Sequence, residues 1–303
     1  MRLGLVLTLC LLTSLPTFAS VKKEVEVLYE LNGQTHRVSG KAIPHGYRFE
    51  GNTPKALKIA TLDWPPYIGR DLCNHGWVFQ LGLSVLLSQG FSVEIYFYPW
   101  ARAVRETEMG YVDILFPEYY IEPGAPSDVH KNTKRLDHLI LSRPFPGGDL
   151  SFVKRTETSI AFTGNLTALI GEFIGVVRGY QNTPEFDRMM DAGQFNIIEA
   201  VDDLQLVKIL MARRVNLVLG DPNVLFYTLK HSDLPLEKKE KYLKQMEQVN
   251  PPLEYKYLFF AVSKKRPDYD NTLLTINQSL LLFQQTGDLQ TLIDRAKQAC
   301  LID

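Results

Sequence analysis

The sequence predicts an α/β protein of two lobes, each a mostly parallel sheet flanked by helices. Three observations carry this expectation. Short apolar strand signals alternate with helical periodicity from Leu57 to Phe116, and again from Ile174 to Leu219. Between the two blocks lies the strongest interior punctuation of the chain, Pro144 to Asp149 (P-F-P-G-G-D). At 303 residues the chain is also larger than one hydrophobic core usually serves.

The first element is a leader. Met1-Arg2 is a positive start, Leu3 to Leu15 is almost wholly apolar, and Pro16 breaks the run. Thr17-Phe18-Ala19 places small residues where a signal peptidase reads, so residues 1–19 are expected to be removed and the protein exported to the periplasm. The apolar run is shorter than the roughly 20 residues a bilayer span needs.

Residues 20–55 form an N-terminal appendage. Val25, Val27, Tyr29 and Leu31 alternate, the chain turns at Asn32-Gly33, and alternation resumes at Thr35 to Val38, a hairpin signal.

The first block then reads as strand Leu57–Leu62, helix Trp77–Leu87, strand Val93–Tyr98, helix Ala101–Met109 and strand Val112–Phe116. The second reads as strand Ile174–Val177, helix Pro184–Ala192, strand Phe195–Glu199, helix Leu204–Arg213 and strand Val215–Leu219. A charged, solvated helix over residues 237–247, a strand at Tyr257–Val262, and two helices, Asn271–Gln285 and Asp288–Ala299, parted by Gly287, complete the chain. In sheets of this kind small ligands sit outside the carboxyl ends of the strands.

Composition narrows the partners. The 33 basic and 34 acidic residues nearly balance, and there is no basic block, so nucleic acid and anionic membranes are poorly matched. Removal of the leader leaves Cys73 and Cys300, an even pair in a compartment where disulfides persist. Neither has a His or second Cys at metal-ligand spacing, so no metal and no cofactor is expected.

The order of several fragments identifies a resemblance. L-K-I-A-T-L-D-W-P-P-Y, Y-P-W-A-R-A-V, G-Y-V-D-I-L and R-L-D-H-L-I-L-S-R-P-F occur in the first half. G-V-V-R-G-Y, A-R-R-V-N-L-V-L-G-D, L-F-F-A-V-S-K-K and T-G-D-L-Q-T-L-I follow. Spread over most of residues 56–299, they resemble the periplasmic substrate-binding proteins of polar amino acid ABC transporters, family 3 of the bacterial solute-binding proteins. The resemblance implies a type II periplasmic-binding-protein-like fold. Its first lobe is discontinuous, residues 56–150 and 256–303, and residues 151–255 form an inserted second lobe. Two hinge strands join the lobes, and closure around a ligand is a hinge motion. Gly147-Gly148 supplies flexible backbone at one crossing and Tyr257–Val262 serves as the other. Both cysteines then belong to the first lobe, where a Cys73–Cys300 disulfide is one reading and two separate thiols the other.

The resemblance also assigns roles. An Arg seven residues before the Ser of an F-S-x-P-Y/F motif grips the ligand carboxylate in this family. Arg135 stands seven residues before Ser142, and a guanidinium fork suits a carboxylate. The other reading is a solvated loop Arg beside Lys131 and Lys134. Two departures are Asn132, where the family has Thr, and the unusually long loop from Phe116 to Arg135. Asp221 ends the strand V-N-L-V-L-G-D, where the family places the acid that pairs with the ligand's amino group; capping the following helix is its alternative role.

Trp64 matches the aromatic that covers the ligand side chain, and Tyr67 and Trp100 are further candidates for the cleft wall. Arg178-Gly179-Tyr180 follows a strand and precedes a helix, a place where backbone amides can cradle an anion. Glu118 and Tyr119 follow the Val112–Phe116 strand.

The expected function is capture of a small polar solute, an amino acid or a relative of one, by a monomer that delivers it to an ABC transporter membrane permease. The alternatives are an exported enzyme on the same fold, dehydratase-like, with Asp63, Glu118 or Asp221 as acid or base, and a periplasmic ligand sensor. The sequence carries no G-x-S-x-G, H-E-x-x-H, phosphate loop or dinucleotide fingerprint.

Overall fold

The computed structural model describes residues 25–299 apart from Asn32 and Asp128. The leader, the first turn residue of the expected hairpin and Cys300 lie outside the described residues. Among those described, no helix is long and apolar enough to cross a membrane.

The appendage folds as three strands, β1 (Val25–Leu31), β2 (Gln34–Ile43) and β3 (Gly46–Phe49). β1 and β2 form the expected antiparallel pair, with Leu31 opposite Gln34. β3 was not evident from sequence: it has four residues, and its pattern, G-Y-R-F, shows little alternation. It pairs antiparallel with β5 (Val93–Phe97), which joins the appendage to the main sheet.

β1 turns its alternating face, Val25, Val27 and Tyr29, onto the core. Its backbone is met by a side chain of the next helix. Gln80 donates to the Glu26 carbonyl at 2.9 Å and accepts from the Leu28 amide at 3.1 Å. A side-chain amide thus satisfies backbone groups that an edge strand leaves unpaired.

The first lobe continues with β4 (Leu57–Thr61), α1 (Trp77–Leu87), β5 (Val93–Phe97), α2 (Trp100–Glu108), β6 (Ile114–Glu118), α3 (Arg135–His138) and β7 (Leu139–Leu141). β4 lies parallel between β5 and β6. Every residue of α1 is buried, because β1 and the two C-terminal helices pack around it.

β8 (Phe145–Arg155) leaves this lobe as one continuous strand. The Pro-Gly-rich segment expected to mark a boundary is therefore the start of a strand that crosses from one lobe to the other.

The second lobe contains β9 (Phe173–Val177), α4 (Pro184–Asp191), β10 (Asn196–Ala200), α5 (Asp203–Met211), β11 (Leu217–Gly220), α6 (Pro222–Lys230), α7 (Leu236–Gln245) and β12 (Met246–Gln248). β9 runs parallel to β10 and β11, while β8 is antiparallel to β11. Alternate residues of its strands feed two cores, one on each face. Phe152, Leu217 and Leu219 point into one, Val153 and Val218 into the other.

β13 (Glu254–Ser263) returns to the first lobe, followed by α8 (Tyr269–Thr286) and α9 (Asp288–Ala299). The early half of β13 pairs with β8, Gly148 opposite Lys256, and its later half pairs with β6 and β7. The two crossing strands are thus bonded to each other, and they connect the two sheets.

Candidate functional site

The carboxyl ends of β4, β6, β9, β10 and β11 converge on the seam between the lobes. Each parallel strand delivers its next residues there: Leu62 to Trp64, Tyr119, Arg178 to Gln181, Asp202-Asp203, and Asp221. At this seam a small hollow is walled by Leu62, Trp64, Trp100, Tyr119 and Tyr180, with Glu118 and Gln181 at its polar side, and beside it a larger opening that shares Trp100 and Tyr180 is lined by Asp63, Arg178, Asp202 and Asp203.

Four of the aromatic residues form two pairs. Trp64 stacks on Tyr67 with centroids 4.5 Å apart, and Tyr119 meets Trp64 edge-on at 5.8 Å. From the other side, Trp100 and Tyr180 meet edge-on at 6.1 Å. Trp64, Tyr67, Trp100 and Tyr180 were all expected from sequence to stand here, and the fold brings them to one seam.

Asp221 serves both lobes. Its Oδ1 accepts from the Asn223 amide at 2.7 Å, capping α6, and its Oδ2 accepts from the Tyr67 hydroxyl at 2.6 Å. The helix-cap role anticipated as an alternative is present, and the second oxygen reaches across the cleft. Burial pushes the Asp221 carboxyl up and the Tyr67 phenol far above its ordinary value, the latter reinforced by the Asp221 charge. Gly148, on the crossing strand, lies against this contact, and a Cβ there would fall on the Tyr67 hydroxyl and the Asp221 carboxylate.

Arg135 is not a solvated loop residue: it is 1% exposed. Its Nε lies 3.4 Å from Glu108 and its Nη1 3.9 Å from Glu118. Nη1 also donates to the Gly179 carbonyl of the second lobe at 3.4 Å. Both carboxylates are themselves held, Glu108 by the Ser127 hydroxyl at 2.5 Å and Glu118 by the Tyr119 amide at 2.8 Å. The guanidinium is therefore already opposite two buried acids of its own chain. Asn132, the departure from the family pattern, has φ 62°, a left-handed conformation that Asn accepts and a β-branched Thr resists.

Two amides of the turn Arg178-Gly179-Tyr180 are committed to the protein's own backbone. The Arg178 amide donates to Ala200 and the Tyr180 amide to Val177. What the turn offers the cleft is the Gly179 carbonyl, which accepts from Trp100 Nε1 at 3.1 Å. Arg178 itself is exposed.

Sequence reasoning missed Asp203, Glu108 and Lys256. Asp203 opens α5 and is 5% exposed; its Oδ2 accepts from the Tyr180 hydroxyl at 3.0 Å. Burial, with the charges of Asp202 and Asp221 adding to it, pushes its carboxyl up to about 7. Its signal was available: Asp202-Asp203 follows β10, whose carboxyl end faces the same seam as β9 and β11. Lys256, also buried, pairs with Glu254 at 3.1 Å and sits 5.8 Å from the Tyr119 ring centre.

No protein-family model and no curated protein matches the chain. Solved structures do. A histidine kinase sensor domain with similarity to periplasmic binding proteins matches with TM-score 0.64 and 16% identity, covering 80% of this chain and 95% of that one. A mutant of ArgBP from T. maritima matches at 0.61 and 16%, over 80% and 95%. An arginine 3rd transport system periplasmic binding protein from Legionella pneumophila matches at 0.61 and 16%, over 80% and 99%. Two sheets joined by paired crossing strands, with a cleft at the strand ends, give the chain the two-lobed α/β fold of the periplasmic binding proteins.

Proposed function

We propose that this protein is an exported solute-binding protein that encloses a small polar solute between its lobes and presents it to an ABC transporter permease. One observation carries the reading: an aromatic-walled cleft lined by side chains of both lobes, with Tyr67 bonded to Asp221 across the seam. Such a site binds by burying a ligand on closure, and Trp64, Tyr67, Trp100, Tyr180, Glu118 and Asp221 form its wall or its clasp. Arg135 organises that wall through Glu108 and Glu118. The leader supports delivery to the periplasm, where cleavage after Ala19 leaves Ser20 as the first residue. Mass spectrometry of a periplasmic extract checks this, and intact Met1 contradicts it.

A sensor role is the second reading, favoured by the match to a sensor domain at TM-score 0.64. Its cleft chemistry is the same and its partner differs. A pull-down from solubilised membranes separates the two: a permease supports transport, a receptor supports sensing.

The solute is found by a thermal-shift screen of amino acids, amines, organic acids and sugars. A solute that binds only the folded state adds about 2.7 kcal/mol at 100 times its dissociation constant. Silence across all classes, together with turnover of a hydroxy acid, contradicts capture and supports an enzyme.

A further inference from the structure

We propose that the solute is an organic cation without a free carboxylate, its ammonium or guanidinium group paired with Asp203 and its carbon skeleton seated against Trp100 and Tyr180. This rests on the reading of the protein as a solute-binding protein and names the class of solute.

The first observation is Asp203 itself. Its Oδ1 is buried with no hydrogen-bond partner among the described residues. It is not needed as a helix cap, because Asp202 fills that role by accepting from the Gln205 amide at 2.7 Å. Asp203 lines the same opening at the seam as Trp100 and Tyr180. A buried carboxylate with one unmet oxygen, beside two aromatic rings, is the environment that recognises a cation.

The second observation is what the cleft withholds from an anion. Arg135 faces Glu108 and Glu118, so a ligand carboxylate arriving there would be a third acid competing for one guanidinium. The Arg178 and Tyr180 amides are already committed, and the turn presents the Gly179 carbonyl, an acceptor. Arg135, where the sequence pointed to carboxylate recognition, thus disfavours a carboxylate, and the turn supplies an acceptor beside it.

The groups that face Asp203 set its charge. Asp202 lies beside it at the start of the same helix, Asp221 at the start of α6, Tyr119 at the end of β6 and Tyr180 after β9. Across the opening are Asp63, Arg70 and Arg178. Arg70 is engaged by Asp63 at 2.9 Å, and Arg178 is exposed. In the cleft as it stands the carboxyl titrates near neutrality, about 7. A bound cation needs it ionised, so affinity falls as pH drops through that range.

The test is calorimetry of the full protein with matched pairs: agmatine and arginine, cadaverine and lysine, phenethylamine and phenylalanine. At least one amine is expected to bind ten-fold or more tightly than its amino acid. Its affinity is expected to fall roughly thirty-fold from pH 8 to pH 5.5, the ionised fraction of a group titrating near 7. Asp203→Asn, with its fold checked by circular dichroism, is expected to weaken binding at pH 8 at least ten-fold and to flatten the pH dependence. Tighter binding of the amino acid in every pair overturns the proposal, as does an Asp203→Asn variant that binds like the parent. A response confined to acids or sugars in the broad screen also overturns it and leaves solute capture standing. Silence in both assays counts against capture itself.

Discussion

Asp203→Asn is expected to make the protein more stable at alkaline pH while removing its ligand. A carboxyl held near 7 instead of its ordinary 3.8 is costly to ionise inside the fold. At about 1.4 kcal/mol per pH unit that cost is about 4–5 kcal/mol, an upper bound because local relaxation and water entry reduce it. The sign follows from proton counting. Between about pH 4 and pH 7 the folded protein keeps the Asp203 proton while the unfolded chain has released it, so stability falls as pH rises through that window. Above about 7 both states are ionised and the full penalty is present. Asn has no such titration and still accepts from Tyr180. Urea denaturation at pH 4.5, 6 and 8 reads the difference between variant and parent, which cancels the titrations they share. The gap is expected to be about 1 kcal/mol at pH 4.5 and to widen to a few kcal/mol in favour of the variant at pH 8. A gap independent of pH, or a parent more stable at pH 8, would refute the assignment of a buried, costly charge to this position.

Three further outcomes follow from the same geometry. Arg135→Ala leaves Glu108 and Glu118 buried without their cation and is expected to cost about 3–5 kcal/mol in urea denaturation; a change below about 0.5 kcal/mol would mean that the two acids do not depend on it. Gly148→Ala places a methyl group on the Tyr67–Asp221 contact. It is expected to weaken solute binding roughly ten-fold or more, as loss of a buried bond to a charged group does, and unchanged affinity by calorimetry would show that this clasp plays no part in closure. Cys73 sits in a short 3-10 turn that packs on α9, whose last residue precedes Cys300. We therefore propose a disulfide closing a loop of more than 200 residues, worth about 5 kcal/mol in the chain-entropy account. Labelling denatured protein without reductant is expected to find no reactive thiol at either position, and two reactive thiols would contradict the bridge.

Periodicity made the alternating block from β9 to β11 and the core of the first lobe legible, whereas β8, read as a boundary, and β12 were not anticipated. Strand and helix signals between Leu57 and Phe116 correspond to observed elements with shifts of one or two residues at their ends. The shifts have local causes. Trp100 begins α2 because Pro99 takes the position before it, and β6 runs on to Glu118 through Pro117, a residue that reads as a strand end. β3 and β7 were invisible because strands of four and three residues carry too little pattern. The aromatic wall was legible because Trp64, Trp100 and Tyr180 follow strands whose ends must face one cleft. The electrostatics were not. Whether Arg135 meets a ligand or its own acids depends on Glu108, 27 positions earlier in the chain, and no local spacing reports that pairing. Asp203 drew no notice in the sequence, and only its burial beside Tyr180 sets it apart.

Hydrogen–deuterium exchange with and without the solute found by the screen tests capture between the lobes most directly. Protection is expected in both lobes at once, at the segments after β4 and β6 in the first and after β9, β10 and β11 in the second, with the crossing strands β8 and β13 slowed as the cleft is held shut. Protection confined to one lobe, or at surfaces away from the seam, would contradict enclosure of the solute in the cleft.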